Sequence, residues 1–524
     1  MQKLLELYSD MTSGAISGWD RIRFRGTIRW LASTQGINSY LGSQGMLIKD
    51  FGHWAQEITQ RVRSACAGQA DKLGIPMKYL DRSGVNKEAL ARQIAEEREI
   101  DTGDICMFSV QENCWAPEVK GNRSKKTLEL KVRKRRCVFI YHYWNDPVIG
   151  FGHTRLQTWL PLSVTLCVNG RHWLERQLLA ESIDYLKDGN CFPFIGDPVR
   201  AQELLDKQLC TNWPALLNPL LRRNCPVIDN LFGTSPLQYY WSADETEWAT
   251  DVCFRSVADL ERIYPSLLRH ALVTAQSPSV LRFFGKRTTP NGKIPGSAPR
   301  EILSDHRSRY EGVRIKHWVN GNSVKAYNKA GNLLRLETTI NNNRDFKVFR
   351  HPDDDESRPA SWQKMRKGVS DLHRRAQVSQ ACNDRYAEHL AAAAVNETLH
   401  QVAADVCRPV RRKKRRFRAL NPWAPEDYEI LRFIAAGEHT VNGFRNRDLR
   451  NHLYPETTGN NDTAHRNRLS GRVTRRLAML RAHGLIKKVP RTTRYVLTAK
   501  GQKVSAAILA ASAADSQQLM EMAA

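Results

Sequence analysis

The chain has 524 residues, too many for one ordinary hydrophobic core, so its length points to roughly two to four domains. Hydrophobic residues make up 41%, with 13 Trp, 15 Tyr and 16 Phe, which excludes wholesale disorder. Lys and Arg total 80 against 54 Asp and Glu, a formal charge of +26 that favours a polyanionic partner, because cationic side chains release counterions when they meet phosphates.

The 11 cysteines include no CxxC pair, so a zinc ribbon or a thioredoxin-type site has no support, and reduced thiols in a cytoplasmic protein are expected. The N-terminus carries no secretory pattern and no stretch has the apolar length of a bilayer span, so no membrane partner is expected. No P-loop occurs, and ATP-driven work is not suggested.

In chain order, a short helix and a Ser/Gly-rich loop are expected before SGWDRIRFRGTIRWLAS. There Ile22, Phe24 and Ile28 alternate with Arg21, Arg23, Arg25 and Arg29, the pattern of a half-buried strand or hairpin with a basic outer face. Helical patterns follow to about Ile100. From Gly103 the period becomes that of strands, and TLELKVRKRRCVFIYHYW reads as a basic edge running into a buried strand. The next piece has strand character as far as Val168, then an Asn-Gly turn and a helix start. Residues 171–275 read as mostly helical, broken by Pro193, Pro198, Pro214 and Pro226. Residues 277–300 read as a flexible basic loop. GVRIKHWVNGNSVKAYNKAGNLLRLETTIN then gives three alternating runs punctuated by Asn-Gly and Ala-Gly, a meander. The acidic run Asp353–Glu356 reads as a solvated loop, and residues 361–406 as a long helical stretch. No internal repeat is evident in the residues.

RPVRRKKRRFR, Arg408 to Arg418, is expected to be a basic tether; Arg411, Arg412, Lys413, Lys414, Arg415 and Arg416 are its phosphate-gripping candidates. Beyond it, PEDYEILRFIAAGEH, FRNRDLRNHLY and RNRLSGRVTRRLAMLRAHG read as three helices, and LIKKVPRTTRYVLT as a hairpin. This order, and the phrase RLAMLRAHGLIKK…TRYVLTAKG, resembles a winged helix of the MarR-like kind. The resemblance implies that the third helix enters a groove and the hairpin touches backbone. By position, Arg466, Arg468, Arg472, Arg475 and Arg476 become groove or phosphate contacts. Ser470 becomes a phosphate contact, and Arg491, Thr493 and Arg494 become hairpin contacts. The alternative is a protein-binding module with solvated arginines.

Upstream, the basic runs offer a second nucleic-acid surface through Arg21, Arg23, Arg25, Arg133, Lys134, Arg135, Arg136, Arg314, Lys316 and Lys325. Trp19, Trp30, Trp318 and Tyr327 are interleaved with such runs and could stack on unpaired bases, although core packing is the expected role for most of them. Two-metal phosphodiester cleavage needs carboxylates gathered from separate elements. In RNase H-like enzymes these lie on a first strand, a later strand and a helix; here Asp20, Glu337 and Asp371 occupy such positions, with Asp251 as a competitor. Mg²⁺ or Mn²⁺ would be the cofactor if they act together. The plain alternative is ion pairing: Asp20 with Arg21 or Arg23, Glu337 with Arg335 or Lys325, and Asp371 with an arginine of its helix.

SVKAYNKAGNLLRLETTIN also resembles a strand–turn–strand of rolling-circle replication initiators, a family that uses a His-hydrophobic-His metal pair and a nucleophilic Tyr. This chain has no such His pair; His142 and His153 are expected to be ordinary core or edge histidines, and Tyr327 a packed aromatic. The whole chain is similar to basic bacterial proteins of mobile-element type. The expectation is therefore an α+β protein with a mixed or antiparallel sheet in its main domain, helical insertions and a C-terminal winged helix. Its expected parts are residues 1–100, 101–406, a linker at 407–422, and 423–524. Its expected function is binding DNA or structured RNA, as a protein of mobile-element or defence type with a homodimer as the candidate assembly; the alternative is a metal-dependent nuclease, transposase or strand-transferase with an RNase H-like carboxylate site.

Overall fold

In the computed structural model, the arginine-rich alternation near the N-terminus forms one long strand at the middle of a large mixed sheet. The structure describes the chain except residues 125, 234–236, 287–301, 310–311, 353–356, 394–398, 413–414, 437–438, 440–442, 456–462, 491 and 516–524. A first run contains α1 (Gln2–Leu7), β1 (Thr12–Ile28), α2 (Thr34–Ser43), α3 (Phe51–Leu73), β2 (Met77–Leu80) and α4 (Lys87–Glu97). It continues through the meander β3 (Gly103–Asn122), β4 (Thr127–Asp146), β5 (Gly150–Gln157) and β6 (Val164–Asn169). After α5 (Gly170–Ala180) come the hairpin β7 (Tyr185–Asp188) and β8 (Cys191–Ile195), then α6 (Pro198–Gln208) and α7 (Trp213–Asn224). The second run opens with β9 (Tyr239–Phe254), α8 (Val257–Thr274) and α9 (Ser277–Phe283). Its meander is β10 (Ile302–Arg309), β11 (Gly312–Val319), β12 (Asn322–Lys329) and β13 (Leu333–Ile340). The hairpin β14 (Lys347–Arg350) and β15 (Ser361–Lys364) and helix α10 (Leu372–Ala391) complete it.

The strand order of the 11-stranded sheet is β10-β11-β12-β13-β9-β1-β6-β5-β4-β3-β2. Among the described residues only the β2–β3 pair, at one edge, is parallel. Around the β9–β1 junction the order is the same in both directions: an opening strand, then the last, third, second and first strands of a four-strand meander. Two copies of one topology therefore meet along β1 and β9. This repeat escapes the sequence because it lies in connectivity. At its centre Trp19 pairs in register with Trp248, the rings edge to face at 4.9 Å.

The meander expected at 312–340 is present, and its turns show why. Asn320 and Gly321 both have positive φ (51° and 81°), the backbone that two-residue hairpins require. Elsewhere the structure corrects the reading. The Ser/Gly stretch before Trp19 is already strand, and residues 171–275 include β7, β8 and β9. Asn169 is a helix cap, not a turn residue: its side chain accepts from the backbone N–H of Arg171 and His172. Residues 277–283 form α9, and the rest of the basic loop to 300 lies almost wholly outside the described residues, as does the acidic run Asp353–Glu356. The segment 361–406 starts with a strand and contains two helices, because β15 pairs with β14 before α10 starts.

The C-terminal part has its own hydrophobic core, reaching from Val402 to Ile508. It contains α11 (Leu399–Ala404), β16 (Val410–Arg412), β17 (Arg415–Phe417), α12 (Pro425–Ala435), β18 (Phe444–Arg445), α13 (Asn446–Leu453), α14 (Thr463–Ala482), β19 (Ile486–Lys488), β20 (Arg494–Leu497) and α15 (Ala499–Ala513). The expected tether is a hairpin, β16–β17, with Phe417 packed against this core. No helix among the described residues is long and apolar enough to cross a membrane.

Candidate functional site

Three neighbouring strands, β13, β9 and β1, each send one carboxylate to a common point. One oxygen each from Glu337, Glu247 and Asp20 lie within 4.8 Å of one another, close enough to hold a metal ion. The register explains the convergence. Trp19 opposes Trp248 and Arg21 opposes Glu247, so Asp20 is the extra residue of a β-bulge. A bulge re-aims a side chain without breaking the sheet, and here it turns Asp20 toward Glu247. Glu337 sits one strand over, in register with Ala249.

The neighbours are charged and ordered. Lys325 of β12 pairs with Glu337 at 2.7 Å, and the Tyr327 hydroxyl donates to the same carboxylate at 2.9 Å. Arg21 pairs with Glu245 at 2.7 Å and Glu247 at 3.1 Å. Asn190, in the turn between β7 and β8, donates its amide to both oxygens of Asp20, at 2.7 and 2.9 Å. Arg335, fully buried, makes two hydrogen bonds to Asp251 (2.5 and 2.9 Å), donates to the Asn190 carbonyl at 2.7 Å and reaches Asp20 at 3.4 Å. Arg171 adds a further contact to Asp251 at 3.0 Å. That reach depends on Gly170, where a Cβ would stand 2.0 Å from the Trp19 carbonyl oxygen and push α5 off the sheet.

These contacts separate the carboxylates electrostatically. Burial pushes Glu247 up to about 7, with the Glu337 charge adding to it, against Arg21 and Lys325. Burial also raises Asp20, with Arg335 opposing and Glu337 reinforcing. For Glu337 and Asp251 burial acts upward too, but it is outweighed, by Lys325 and Arg335 for the first and by Arg335 and Arg171 for the second, and both are held below the usual range. Glu337 therefore stays ionised while Glu247 takes or releases a proton near neutrality. A set of three hard oxygen donors suits Mg²⁺ or Mn²⁺ and not a thiophilic ion.

Of the four carboxylates expected from the sequence, Asp20 and Glu337 come together. Asp251 is nearby but committed to two arginines. Asp371 lies outside the cluster: it is buried against Arg374 (2.9 Å) and Arg350 (3.7 Å), and accepts from the Arg366 backbone at 2.9 Å. Its expected ion pairing is what holds. Glu247 escapes the sequence reading because the β9 segment falls in the stretch expected to be helical. Tyr327, expected only to pack, has its hydroxyl on the site. His142, His153 and Asp146, which could have shared a metal, do not come together: His142 pairs with Asp104 at 2.9 Å, and Asp146 caps a turn through the Val148 and Ile149 N–H groups. His153 lies against Tyr141 and Tyr143, and burial lowers it to about 4.

The expected cationic surface divides into paired and unpaired groups. Arg21, Arg23 and Arg25 are about half exposed and face Glu245, Glu247 and Asp244 across β9. Arg314 pairs with Asp305, and Lys316 lies over the Trp318 ring at 4.5 Å. Arg135 stacks on Trp159 at 3.9 Å. By contrast Arg133, Lys134 and Arg136 on β4, and Arg466, Arg468, Arg472 and Arg475 on α14, are exposed and make no ion pair among the described residues. Arg476 pairs with Glu426. Ser470 is tied to Asn446 at 3.0 Å, Thr493 is exposed, and Arg494 donates to the Gly443 carbonyl at 3.4 Å. Lys413, Lys414 and Arg491 lie outside the described residues.

Comparison with protein-family models, with curated proteins and with solved structures finds no match for this chain.

Proposed function

We propose that the chain binds nucleic acid and exchanges phosphodiester bonds at the Asp20–Glu247–Glu337 cluster, with Tyr327 as the attacking group. The observation that carries this reading is the convergence of three carboxylates from adjacent strands beside a tyrosine hydroxyl already bonded to one of them. Burial holds the Tyr327 phenol well above its usual range, so its proton has to leave in the same step as the attack: Glu337, kept ionised by Lys325, is placed to take it as the phenol oxygen forms its bond to phosphorus. The bond from phosphorus to the sugar oxygen then breaks, and the departing oxygen is protonated from solvent. A divalent cation held by the three carboxylates would polarise the phosphate and favour the charge that develops on it. Lys325, close to the cluster, is the side chain placed to meet a phosphate oxygen.

The C-terminal part supports the binding half of the proposal. Its order of α12, α13, α14 and the β19–β20 hairpin fits a winged helix, and the free arginines lie along α14, the helix that would enter a groove. The β16–β17 hairpin adds Arg411, Arg412, Arg415 and Arg416 beside it. A second reading, binding without chemistry, draws on one observation: Asp20 is already satisfied by Asn190 and Arg335, as it would be in a purely structural charge network.

The test is incubation of end-labelled single-stranded and duplex DNA and RNA with Mg²⁺ or Mn²⁺, run on a denaturing gel. A labelled protein adduct, absent in Tyr327→Phe and in Glu337→Gln, is the expected result. Cleavage without adduct, undiminished in Tyr327→Phe, replaces strand transfer by hydrolysis. Binding with no cleavage of any substrate leaves the second reading.

A further inference from the structure

Trp115, Phe349, Trp362 and Trp423 are among the strongly exposed aromatics of the described surface, and local charge separates Trp115 from the pair on the β14–β15 hairpin. Phe349 and Trp362, paired on the β14–β15 hairpin, lie in a segment (347–364) with four Lys/Arg and four Asp/Glu, hence neutral. Trp115 lies in the ribbon formed by the outer parts of β3 and β4. Between Gln111 and Val138 the chain has nine Lys/Arg and three Glu.

The geometry of that ribbon is unusual. β5 pairs with β4 only from Phe139 onward, and β2 pairs with β3 only at Met107–Val110. Beyond these points β3 and β4 pair with each other alone, from Gln111↔Val138 to Asn122↔Thr127, a two-stranded arm of about 40 Å at the rise of an extended strand. Such an arm is marginal unless one side is held. Cys114, Ala116 and Leu130 are buried in the main core and hold it. Trp115 is 66% exposed and Val132 47% exposed. Lys134 stands directly across from Trp115, with Arg136 and Val132 two residues either side of Lys134 on the same strand face. Lys134 and Arg136 make no ion pair among the described residues. Burial does not explain the indole, and intramolecular pairing does not explain the cations.

We propose that Trp115, Lys134 and Arg136 form a platform for single-stranded nucleic acid, the indole stacking on an unpaired base while the two cations meet the flanking phosphates. An indole face is available to any base but cannot reach one inside an intact duplex, and stacking of this kind needs no sequence readout. The platform rests on the nucleic-acid reading above and adds to it a binding mode: a strand with exposed bases is led along the arm of the sheet.

The test uses the full chain and labelled oligonucleotides of about 20 nucleotides, long enough to span a typical single-strand site, with fluorescence anisotropy as readout. Trp115→Ala is expected to weaken single-strand binding roughly tenfold, with Trp115→Phe recovering most of it and duplex binding changing less than about twofold. Lys134→Glu and Arg136→Glu are expected to weaken single-strand binding and to flatten its salt dependence. Because Trp115 is exposed, the variants should melt like the parent, which circular dichroism checks. Unchanged single-strand affinity in Trp115→Ala overturns the platform while leaving the broader reading intact. Equal losses on duplex, or Trp115-dependent capture of anionic vesicles in place of oligonucleotides, also overturn it. If the parent binds no nucleic acid at all, both proposals fall.

Discussion

Arg335 is the residue on which the charge arrangement depends. It is fully buried, and it is shared by Asp251, by Asp20 and by the Asn190 carbonyl that positions the β7–β8 turn. Removing one partner of such a group leaves buried carboxylates uncompensated, which costs about 3–5 kcal/mol. Arg335→Ala is therefore expected to lower the urea midpoint sharply, and Arg335→Ala with Asp251→Ala to recover part of the loss. A destabilisation below about 1 kcal/mol would mean that water replaces the guanidinium and that the cluster is less dry than its burial implies. Glu247 gives the second prediction at this scale. Its ordinary value of 4.5 is raised to about 7 in the fold, so the protonated form favours the folded state. The stability it lends is complete below 4.5 and is lost as pH rises through about 7. Cation binding has the opposite dependence, since it requires the carboxylate. Mn²⁺ affinity measured by calorimetry should rise with pH up to about 7 and level off above it, and Glu247→Gln should bind weakly and lose that dependence. An affinity flat from pH 5 to pH 8 would remove Glu247 from the ligand set.

At the scale of elements, the legible parts are those in which one face of a strand is apolar. β1 is visible because Ile22 and Phe24 alternate with exposed arginines, which puts Asp20 on this strand; the bulge that turns it toward Glu247 is not visible in the alternation. β11 to β13 are visible because their turns are written in Asn-Gly and Ala-Gly, and that places Glu337. β9 is not visible, since neither of its faces is apolar throughout. One carries Glu245, Glu247 and Asp251; the other mixes Trp248 and Val252 with Thr246 and Thr250, which are buried. Thr250 is satisfied by Ser17 and by Asn383 of α10, partners that exist only after folding. A bulge between Arg23 and Phe24, where Asp244 is the extra residue, breaks the alternation again. The missing carboxylate of the site is hidden by the same polarity that makes the site. The Arg408–Arg418 run shows a different limit: composition reveals its charge but not its shape. Arg411 lies across from Arg416 and Arg412 from Arg415, like charges opposed in a ladder, each pair unfavourable by a few tenths of a kcal/mol. Arg412 docks the hairpin by donating to the Arg481 carbonyl at the end of α14, at 2.6 Å. Replacing the four arginines by alanine is expected to leave thermal stability unchanged or slightly higher. It should also reduce the slope of log affinity against log salt on a duplex by about 3 to 4, close to one for each phosphate left without its arginine. An unchanged slope would mean that this hairpin does not meet the backbone.

Across the whole molecule, the doubled topology explains why the site lies where it does. Each half contributes an opening strand, and the two meet at β1 and β9; Asp20 comes from the first half, Glu247 and Glu337 from the second. Neither half holds the complete set, so the cluster requires the two runs to be joined in one sheet, with Trp19 against Trp248 at the seam. The C-terminal core stands apart: its residues, from Val402 to Ile508, share none with the clusters that pack the sheet. Within it, Asp427 is buried, accepts two hydrogen bonds from Arg418 (2.7 and 2.6 Å) and one from the Asn421 N–H at 2.9 Å. Separate cores with their own charge networks are expected to unfold separately. Calorimetry should resolve two transitions. Asp427→Ala, which removes the acceptor that holds Arg418 and the Asn421 N–H, should move only one of them. Arg335→Ala should move only the other, and that second transition should be the one raised by Mn²⁺. A single transition shifted by both substitutions would mean that the two cores fold as one cooperative unit, and that a nucleic acid held by the C-terminal part would act on the cluster through the fold and not merely by being brought near it.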